Sequence, residues 1–317
     1  MRVVSAEEIA RALTFPDLIA ALDGAFRAEI ATPLRHHHAI PRPGEPEAML
    51  LLMPAWETGS NAAMGVKVVT VFPGNAERGK ATVTGVYLLL DGATGEPLAT
   101  LDGRVLTLWR TAAASALAAR RLARRDAQRL VMVGAGALAP YLIRAHASVR
   151  PVSEVLVWNR TAASAEALVR DLDLPGVTVR AAGSLEEAVA GADIVSCATL
   201  SREPLVHGVW LKPGAHLDLV GGFTPTMREA DDEAVRRARL FCDTRAGALR
   251  EAGDLADPLA RGLIAESDIA ADLFDLARGR SPGRERDDEI TLFKSVGTAI
   301  EDLAAAALVF RRLATQA

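Results

Sequence analysis

The chain has few cysteines, few aromatic residues and no excess of positive charge. Its two cysteines, Cys197 and Cys242, each lie in an apolar, strand-like run of the 317-residue sequence. A disulfide scaffold is unnecessary for a chain of this length, and we expect a reducing, cytosolic compartment. Aromatic residues make up 4% of the chain, too little for a base-stacking surface. The chain has 36 Lys and Arg residues and 40 Asp and Glu residues, so its net charge is −4. We therefore expect no nucleic-acid partner.

The sequence also lacks a long hydrophobic run. No window approaches the roughly 18 consecutive apolar residues that a membrane-spanning helix needs. The first residues include Glu7 and Glu8, where a signal peptide would be apolar. We therefore expect a cytoplasmic protein without a membrane partner. At roughly 100–200 residues per domain, the length predicts about two domains, each with its own core.

The first third of the sequence indicates a mixture of helices and antiparallel strands. Ser5 and Glu8 have the spacing of a capping box, and apolar residues at helical intervals predict two helices that break near Pro16. Short apolar runs separated by Pro and Gly clusters predict antiparallel strands over 48–53, 65–72 and 83–90. An Ala-rich helix is predicted over 106–122.

From residue 129 onward, strand-like runs alternate with helical segments. The predicted strands are 130–133, 155–158, 177–179, 194–198, 216–220 and 239–242. This alternation predicts βαβ units and a parallel, doubly wound sheet, and therefore an α/β fold. A final amphipathic helix is predicted over 298–313, after the sheet has ended.

A glycine-rich turn follows the first of these strands and precedes a helix. It reads Gly134-Ala135-Gly136-Ala137-Leu138-Ala139, which is G-x-G-x-x-A. The first Gly permits the tight turn, the second lets the backbone approach a pyrophosphate, and the small last residue lets the helix contact the strand. The helix N-terminus supplies N–H groups for the phosphates. In this position the turn predicts a dinucleotide site.

The end of the second strand predicts which dinucleotide binds. An NAD site needs an acid there, to accept a hydrogen bond from the ribose 2′-hydroxyl, but the strand runs into Asn159-Arg160-Thr161. A guanidinium pairs with a 2′-phosphate, and Asn and Thr can donate further hydrogen bonds. We therefore expect NADP(H) rather than NAD(H).

The run His36-His37-His38 suggests a metal site at first sight. Adjacent residues on a strand point to alternate faces, however, so the three imidazoles cannot converge on one ion. We assign the run to the surface or to a sheet edge, and we expect no metal.

Several motifs, taken in order, resemble the ornithine cyclodeaminase/mu-crystallin family over nearly the whole chain. They are Pro33-Leu34-Arg35, Met53-Pro54-Ala55, Lys67-Val68-Val69-Thr70, Phe72-Pro73-Gly74-Asn75, Leu106-Thr107-Leu108-Trp109-Arg110-Thr111-Ala112-Ala113, Gly134-Ala135-Gly136, Asn159-Arg160-Thr161, Lys212-Pro213-Gly214-Ala215-His216, Glu251-Ala252-Gly253-Asp254 and Phe293-Lys294-Ser295-Val296-Gly297. The resemblance implies a Rossmann-type NAD(P)-binding domain over 121–295, inserted into an α+β substrate-binding and dimerisation domain formed by 1–120 and 296–317. It also implies a homodimer built through the N-terminal sheets.

The resemblance further implies that Arg35, Lys67 and Arg110 hold the carboxylate of a small amino or imino acid. A carboxylate in a partly dry cleft must be paired, and a planar guanidinium fixes its orientation for hydride transfer. Lys67 interrupts an apolar strand, where a buried charge is costly without a partner. We expect Lys67 and Arg110 to be catalytic.

By the same resemblance, a larger set of residues surrounds the cofactor. They lie near the substrate cleft, in the glycine-rich turn, at the ends of the sheet strands or before the last helix, and a doubly wound sheet binds its ligand at those strand ends. The set is Thr82, Arg110, Gly134, Ala135, Gly136, Ala137, Leu138, Asn159, Arg160, Thr161, Thr199, Leu200, Val220, Gly222 and Ser295.

One departure from the family concerns Phe223. Ornithine cyclodeaminases have an aspartate at the matching position, proposed to move protons and activate water, and a phenyl ring can do neither. The resemblance therefore favours a ketimine reductase that uses NADPH to convert Δ1-pyrroline-2-carboxylate or Δ1-piperideine-2-carboxylate into L-proline or L-pipecolate. Phe223 would then line the substrate site, where Glu251 and Asp254 are further candidates for substrate binding or proton supply.

Three alternatives stay open. An ornithine cyclodeaminase or an NAD-dependent amino-acid dehydrogenase would share the fold, and Phe223 and Arg160 argue against both. An opine-type synthase would need a wider cleft. A non-catalytic, NADPH-binding crystallin-like protein would keep the cofactor site. Because Lys67, Arg110 and the glycine-rich turn are all retained, we favour an NAD(P)-dependent oxidoreductase that acts on C=N bonds.

Overall fold

Two sheets organise the chain, one in each of two units. The computed structural model describes residues 1–58 and 62–315. The first unit comprises Met1–Arg110 and Thr298–Ala317, and the second unit comprises Thr111–Gly297. None of the helices in the described part of the chain has both the length and the apolar character of a membrane span.

The strands, in chain order, are β1 (Arg2–Val4), β2 (Ile30–Ala31), β3 (His36–Ile40), β4 (Ala48–Glu57), β5 (Ala63–Val71), β6 (Val83–Asp91), β7 (Pro97–Asp102), β8 (Arg129–Val133), β9 (Glu154–Trp158), β10 (Thr178–Ala181), β11 (Ile194–Cys197), β12 (His216–Leu219), β13 (Ala238–Cys242), β14 (Ile269–Asp272) and β15 (Ile290–Lys294). The helices are α1 (Ala6–Ala12), α2 (Phe15–Arg27), α3 (Gly103–Leu122), α4 (Ala139–Ala147), α5 (Ala162–Asp171), α6 (Leu185–Gly191), α7 (Asp232–Arg237), α8 (Arg245–Glu251), α9 (Gly253–Ala260), α10 (Leu273–Ala277) and α11 (Ala299–Ala314). Short 3-10 helices cover Pro73–Arg78, Gly208–Trp210 and Glu266–Asp268.

The first unit contains a mixed sheet. Its strand order is β1-β7-β6-β5-β4-β2, with β3 also paired to β4. β1 and β7 are parallel, and the other neighbours are antiparallel. The antiparallel strands predicted from the apolar runs are therefore confirmed. The C-terminal helix α11 packs on α2 and on β4, β5 and β6, so the last segment of the chain completes the unit that the first segment begins.

Local sequence signals account for the helix ends in this unit. The predicted capping box is present, because Ser5 Oγ accepts from Glu8 N at 3.3 Å and Ser5 N donates to Glu8 Oε2 at 2.9 Å. Thr14 caps α2, and Pro16 lies in the first turn of that helix, where its missing N–H has no intrahelical partner to lose. The chain therefore breaks between α1 and α2, as predicted.

The histidine run lies on β3. His36, His37 and His38 are all exposed, and they pair in register with Leu52, Leu51 and Leu50 of β4. Within residues 1–58 and 62–315, no three or more His, Cys, Asp or Glu side chains are grouped so that they could hold a metal ion.

The second unit contains eight parallel strands in the order β10-β9-β8-β11-β12-β15-β13-β14. The predicted α/β class with a doubly wound sheet is confirmed. The strand order reverses between β8 and β11, which is where such sheets bind ligands. The sequence patterns predict six of these strands and miss β14 and β15, because both are short runs that end on a charged residue. β15 nevertheless lies between β12 and β13 and is fully enclosed.

A buried polar network joins four elements of the second unit. Asp218 on β12 accepts hydrogen bonds from Ser115 Oγ at 2.9 Å and Ser196 Oγ at 2.7 Å, and His146 Nε2 lies 3.1 Å from Asp218 Oδ2. All four side chains are fully buried. Burial by itself would raise the pKa of Asp218, but the contacts with His146 and Ser196 more than offset that effect and lower it. The network therefore ties α3 and α4 to β11 and β12.

Replacing Asp218 should destabilise the protein, because three buried polar groups would lose their acceptor. We expect Asp218→Ala to lower the free energy of unfolding by about 3 kcal/mol or more, measured by urea denaturation. Asp126→Ala is the matched control, since Asp126 is exposed and pairs with Arg124 at the surface. There we expect a loss below about 1 kcal/mol. Equal losses in the two variants would contradict a stabilising role for the network.

Candidate active site

Two cations and two acids form a buried group in the first unit, which we call the cation–acid cluster. Lys67 lies in the middle of β5 and Arg110 on α3, and their side chains are only 3% and 7% exposed. Glu301 and Asp302 come from the first turn of α11. The Asp302 carboxylate lies 2.8 Å from Lys67 Nζ and 3.0 Å from Arg110 Nε. Glu301 Oε2 lies 2.7 Å from Arg110 Nη1.

The local sequence explains how these side chains come to be buried. Side chains alternate along a strand, so Lys67 shares a face of β5 with Gly65. A Cβ at Gly65 would overlap Tyr87, which lies opposite Lys67 on β6 and is fully buried. The two acids lie at a helix N-terminus, where the helix dipole favours negative charge. Lys67 is therefore buried beside the ring of Tyr87, with the Asp302 carboxylate next to its ammonium group.

The cluster changes the acidity of both cations. Burial and the neighbouring Arg110 together lower the pKa of Lys67 to about 8, although Asp302 opposes the shift. Arg35 also lowers this pKa, so it lies close enough to act on the ammonium. Burial would lower the pKa of Arg110 as well, but Asp302 and Glu301 more than offset that effect and raise it. Two cations are thus balanced by two acids, and Arg35 adds one further positive charge.

This arrangement can bind a small anion. Arg110 donates through Nε and Nη1 to the acids, and Lys67 Nζ contacts Asp302 and, at 3.4 Å, Thr107 Oγ1. Among the described residues, these bonds leave Arg110 Nη2, one N–H of Arg110 Nη1 and one proton of Lys67 Nζ as donors for a ligand. Because the acids fix both cations, a carboxylate bound by them would be held in one orientation.

The other candidates in the first unit precede strands of its sheet. Arg35 is half-buried and directly precedes β3, and Thr82 is half-buried and directly precedes β6. The Thr82 carbonyl accepts a hydrogen bond from Phe72 N at 2.8 Å. The structure therefore brings Arg35 close enough to act on Lys67, and it places Thr82 in the segment between β5 and β6.

The glycine-rich turn, which we call the phosphate turn, follows β8 in the second unit. Gly134 has a φ of +107°, and a Cβ there would lie 2.7 Å from Ala198 O, so only glycine fits. The rest of the turn is half-buried or exposed and consists of Ala135, Gly136, Ala137 and Leu138. Helix α4 begins directly afterwards, at Ala139. An exposed turn that leads into a helix N-terminus fits the pyrophosphate of a dinucleotide.

Asn159 links this turn to the end of β9. Its Oδ1 accepts from Ala135 N at 3.3 Å, and its Nδ2 donates to Thr161 O at 3.1 Å. Arg160 and Thr161 are exposed, and α5 begins directly after them. The segment presents a cation and no carboxylate, which fits a phosphate on the adenosine ribose.

The remaining cofactor candidates lie where other strands of the sheet end. After β11, Thr199 is half-buried and Leu200 is 68% exposed. After β12, Val220 and Gly222 are buried, and after β15, Ser295 is fully buried. Because parallel strands end at the same edge of a sheet, the structure places these residues on the same edge as the phosphate turn.

The sequence patterns do not reveal a buried charged group behind these loops. Lys294 Nζ lies 2.9 Å from Asp254 Oδ2 and 3.9 Å from Glu229 Oε2, and all three side chains are fully buried. Burial would lower the pKa of Lys294, but Asp254 and Glu229 raise it. Lys294 interrupts the apolar strand β15 as Lys67 interrupts β5, so the same signal could have identified it. Glu229 lies in an irregular segment and offers no such signal.

The sequence patterns also do not identify the two acids of the cation–acid cluster as site residues. Glu301 and Asp302 begin a helix that reads as amphipathic with an Ala-rich face, and acids are common in a first helical turn. Only their complete burial distinguishes them from ordinary first-turn acids.

The three substrate candidates of the second unit differ in their surroundings. Phe223 is 44% exposed, and Glu251 is half-buried at the end of α8. Asp254 is fully buried, and its Oδ1 accepts from Glu229 N at 2.7 Å and from Ala230 N at 3.2 Å. Asp254 therefore accepts hydrogen bonds from the backbone and forms an ion pair with Lys294, both within the second unit.

The profile of one protein family, the Ornithine cyclodeaminase/mu-crystallin family, matches residues 1–317. The chain belongs to this family. The resemblance inferred from the motifs is confirmed, and so is the predicted enzyme class, the NAD(P)-dependent oxidoreductases of the cyclodeaminase family.

Individual members of the family match over nearly their full length. The Delta(1)-pyrroline-2-carboxylate reductase of Colwellia psychrerythraea is 38% identical over 320 residues, which cover 99% of this chain and 100% of that protein. The structure of Thermococcus litoralis Delta(1)-pyrroline-2-carboxylate reductase in complex with NADH and L-proline is 34% identical, with a TM-score of 0.91 and coverage of 100% and 98% of the two chains. An archaeal alanine dehydrogenase dimer with bound NAD is 28% identical, with a TM-score of 0.91 and coverage of 100% and 97%.

The contact between Asp302 and Lys67 can be tested by measuring how the pKa of Lys67 changes when Asp302 is replaced. Removing the negative charge of Asp302 should favour the neutral amine, so we expect Asp302→Asn to move the pKa of Lys67 from about 8 to a lower value. The chain has four lysines, so the 13C signals of labelled lysine side chains can be followed with pH, and Lys67→Arg assigns the signal. Glu301→Gln is the control, because Glu301 pairs with Arg110. A pKa unchanged by Asp302→Asn would contradict the described pairing.

Proposed function

We propose that this protein reduces the C=N bond of a small cyclic imino acid to the L-amino acid with NADPH. Its substrate would be Δ1-pyrroline-2-carboxylate or Δ1-piperideine-2-carboxylate. The observation that carries the proposal is the cation–acid cluster, in which buried Lys67 and Arg110 keep donors for one carboxylate. Both substrates have a carboxylate on the carbon that is reduced. The similarity to Delta(1)-pyrroline-2-carboxylate reductases supports the same chemistry.

In this proposal, Arg35, Lys67 and Arg110 bind the substrate carboxylate and orient the neighbouring C=N carbon. When bound, the reduced nicotinamide supplies the hydride that this carbon accepts. The product nitrogen also needs a proton, which the substrate carries if it arrives as the iminium. Lys67 is a second source, because a group with a pKa of about 8 is protonated at neutral pH and can still release its proton. Asp302 and Glu301 keep the two cations in place.

We assign the cofactor to the second unit. The turn of Gly134–Leu138 would hold the pyrophosphate, and Asn159–Thr161 would contact the adenosine ribose. The nicotinamide end would lie beside Thr199, Leu200, Val220, Gly222 and Ser295, with Thr82 and Arg110 near the substrate. In this assignment residues 121–295 form the NAD(P)-binding domain, and residues 1–120 with 296–317 form the substrate-binding and dimerisation domain.

A homodimer is part of the proposal. Several large apolar side chains of the first unit are exposed, between 38% and 75%, and they are Val3, Leu34, Trp56, Val83 and Val86. Large apolar side chains leave water when a second chain covers them, which favours their burial in an interface. The similar archaeal alanine dehydrogenase is a dimer, which supports the same assembly.

An NAD-dependent amino-acid dehydrogenase is the second candidate. The similarity to the archaeal alanine dehydrogenase favours it, because such an enzyme would use the same fold and carboxylate-binding cations. Arg160 argues for NADPH and therefore for net reduction. Phe223 argues against a cyclodeaminase, since a phenyl ring has no exchangeable proton.

The assay that tests the proposed function follows oxidation of NADPH and NADH with a panel of imines. We expect oxidation with both cyclic imino acids, and a rate lower by roughly a hundredfold or more with 1-pyrroline, which lacks the carboxylate. Pyruvate with ammonia tests the dehydrogenase, and L-ornithine is tested separately for release of ammonia and proline. Turnover of ornithine without added reductant, or equal rates with and without the carboxylate, would refute the proposal.

Replacement of Arg160 tests the proposed preference for NADPH over NADH. Because its guanidinium would pair with the 2′-phosphate, we expect Arg160→Ala to raise the Kd for NADPH by about tenfold or more and to leave the Kd for NADH nearly unchanged. Arg170→Ala is the control, since Arg170 is another exposed arginine, at the far end of α5. Equal weakening of both cofactors in Arg160→Ala would remove the basis for NADPH.

A further inference from the structure

Three loops at one edge of the second-unit sheet pack on one another through glycines. A Cβ at Gly134 would lie 2.7 Å from Ala198 O and 3.2 Å from Thr199 Cγ2. A Cβ at Gly221 would overlap the backbone of Thr199. The loops after β8, β11 and β12 therefore touch backbone to backbone, with the Thr199 loop in the middle. Because glycines stand at these contacts, the loops approach one another closely, and the hydrogen bonds that join them help to fix their separation.

A single buried carboxylate provides those bonds for two of the loops. Glu229 Oε1 accepts from Thr199 N at 2.7 Å and from Thr199 Oγ1 at 2.8 Å. Glu229 Oε2 accepts from Gly221 N at 2.8 Å and from Gly222 N at 3.3 Å. Four donors from two loops thus converge on one side chain, which is fully buried.

Glu229 is itself held by a second acid and a lysine. Asp254 Oδ1 accepts from Glu229 N at 2.7 Å, and Lys294 Nζ lies between the two carboxylates, 2.9 Å from Asp254 Oδ2 and 3.9 Å from Glu229 Oε2. Burial raises the pKa of Glu229, and the positive charge of Lys294 opposes that shift. Gly222 rests against this ion pair, because a Cβ there would lie 3.2 Å from Asp254 Oδ2 and 3.4 Å from Lys294 Nζ.

We propose that Glu229 is a positioning residue for the nicotinamide end of the cofactor site, and that Asp254 and Lys294 hold it in place. The inference rests on the proposed function, which puts Thr199 and Gly222 beside the nicotinamide. Glu229 contacts no reacting atom in this arrangement. It acts through the backbone of the two loops, whose separation its carboxylate sets. The phosphate turn after β8 makes no hydrogen bond to Glu229 within the described residues and meets the Thr199 loop only through packing at Gly134, so we expect the pyrophosphate end of the site to depend on Glu229 much less.

Glu229→Gln tests this inference, because glutamine keeps the shape of the side chain but replaces one acceptor oxygen with an NH2 donor. Two Kd values are measured by calorimetry, one for the reduced cofactor that the wild type prefers and one for the matching ADP-ribose or its 2′-phosphate, which lacks the nicotinamide ring. We expect the Kd of the whole cofactor to rise by about tenfold or more and the Kd of the fragment to change by less than about twofold. We also expect kcat to fall.

A second variant separates the effect of the negative charge at position 229 from the effect of the length of the side chain. Glu229→Asp keeps the negative charge beside Lys294 but is one methylene shorter, so it cannot bond to both loops at once. We expect a lower melting temperature, because buried donors of one loop lose their acceptor, together with the same selective loss of affinity for the whole cofactor.

Asp193→Asn is the matched control at the opposite end of β11. Asp193 Oδ2 accepts from Gln128 N and Arg129 N, each at 2.9 Å, and Asp193 Oδ1 pairs with Lys212 Nζ at 2.7 Å. This carboxylate therefore makes the same kinds of contact as Glu229, away from the cofactor loops. We expect a lower melting temperature and unchanged Kd values for the cofactor and the fragment.

The inference is overturned if Glu229→Gln and Glu229→Asp bind the whole cofactor as tightly as the wild type, or if cofactor and fragment weaken equally. A wild-type protein that binds the cofactor but reduces no cyclic imino acid would refute the proposed function alone, because the ratio of the two Kd values still decides the role of Glu229. A wild-type protein that binds neither the cofactor nor the fragment would refute both.

Discussion

A cation buried inside an apolar strand needs a carboxylate beside it, because an unpaired charge in the protein interior costs several kcal/mol. Two of the four lysines in the sequence are in this position, Lys67 on β5 and Lys294 on β15. Asp302 pairs with the first and Asp254 with the second. The first pairing spans 235 positions of the sequence, so neutralising Lys67 also holds α11 against the sheet that the N-terminal segment forms.

The same constraint orients hydrogen-bonding groups in both units. In the first unit, the acids use some of the donors of Lys67 and Arg110 and orient the rest, which leaves a small group of fixed donors for one anion. In the second unit, Lys294 lets two acids stay side by side in the interior, and these acids collect backbone N–H groups from the loops at the edge of the sheet. Charge burial is thus costly for stability and useful for orientation, since a buried and fully bonded group has a single position.

Much of the fold could be predicted because it depends on neighbours in the sequence. The capping box of Ser5, the break before α2 and the turn at Gly134 each follow from a few adjacent residues, and the structure contains all of them. The alternation of apolar runs and helices was sufficient for the doubly wound sheet. β15 was missed because its five residues do not reveal that two other strands will enclose them. A lone lysine in an apolar strand was informative at Lys67 and would have been equally informative at Lys294.

The sequence by itself determined the class of fold, the family and the glycine-rich turn after β8, and it singled out Lys67 and Arg110 as the cations of a candidate site. These features are set by short-range patterns of residue type, which a chain carries wherever its segments come to lie. Only the tertiary structure decided which acids neutralise those cations, and that Glu229 joins the loops after β11 and β12. The reason is physical: a hydrogen bond or an ion pair requires atoms to lie within about 3 Å of one another, and folding alone brings segments such as β5 and α11 to that distance.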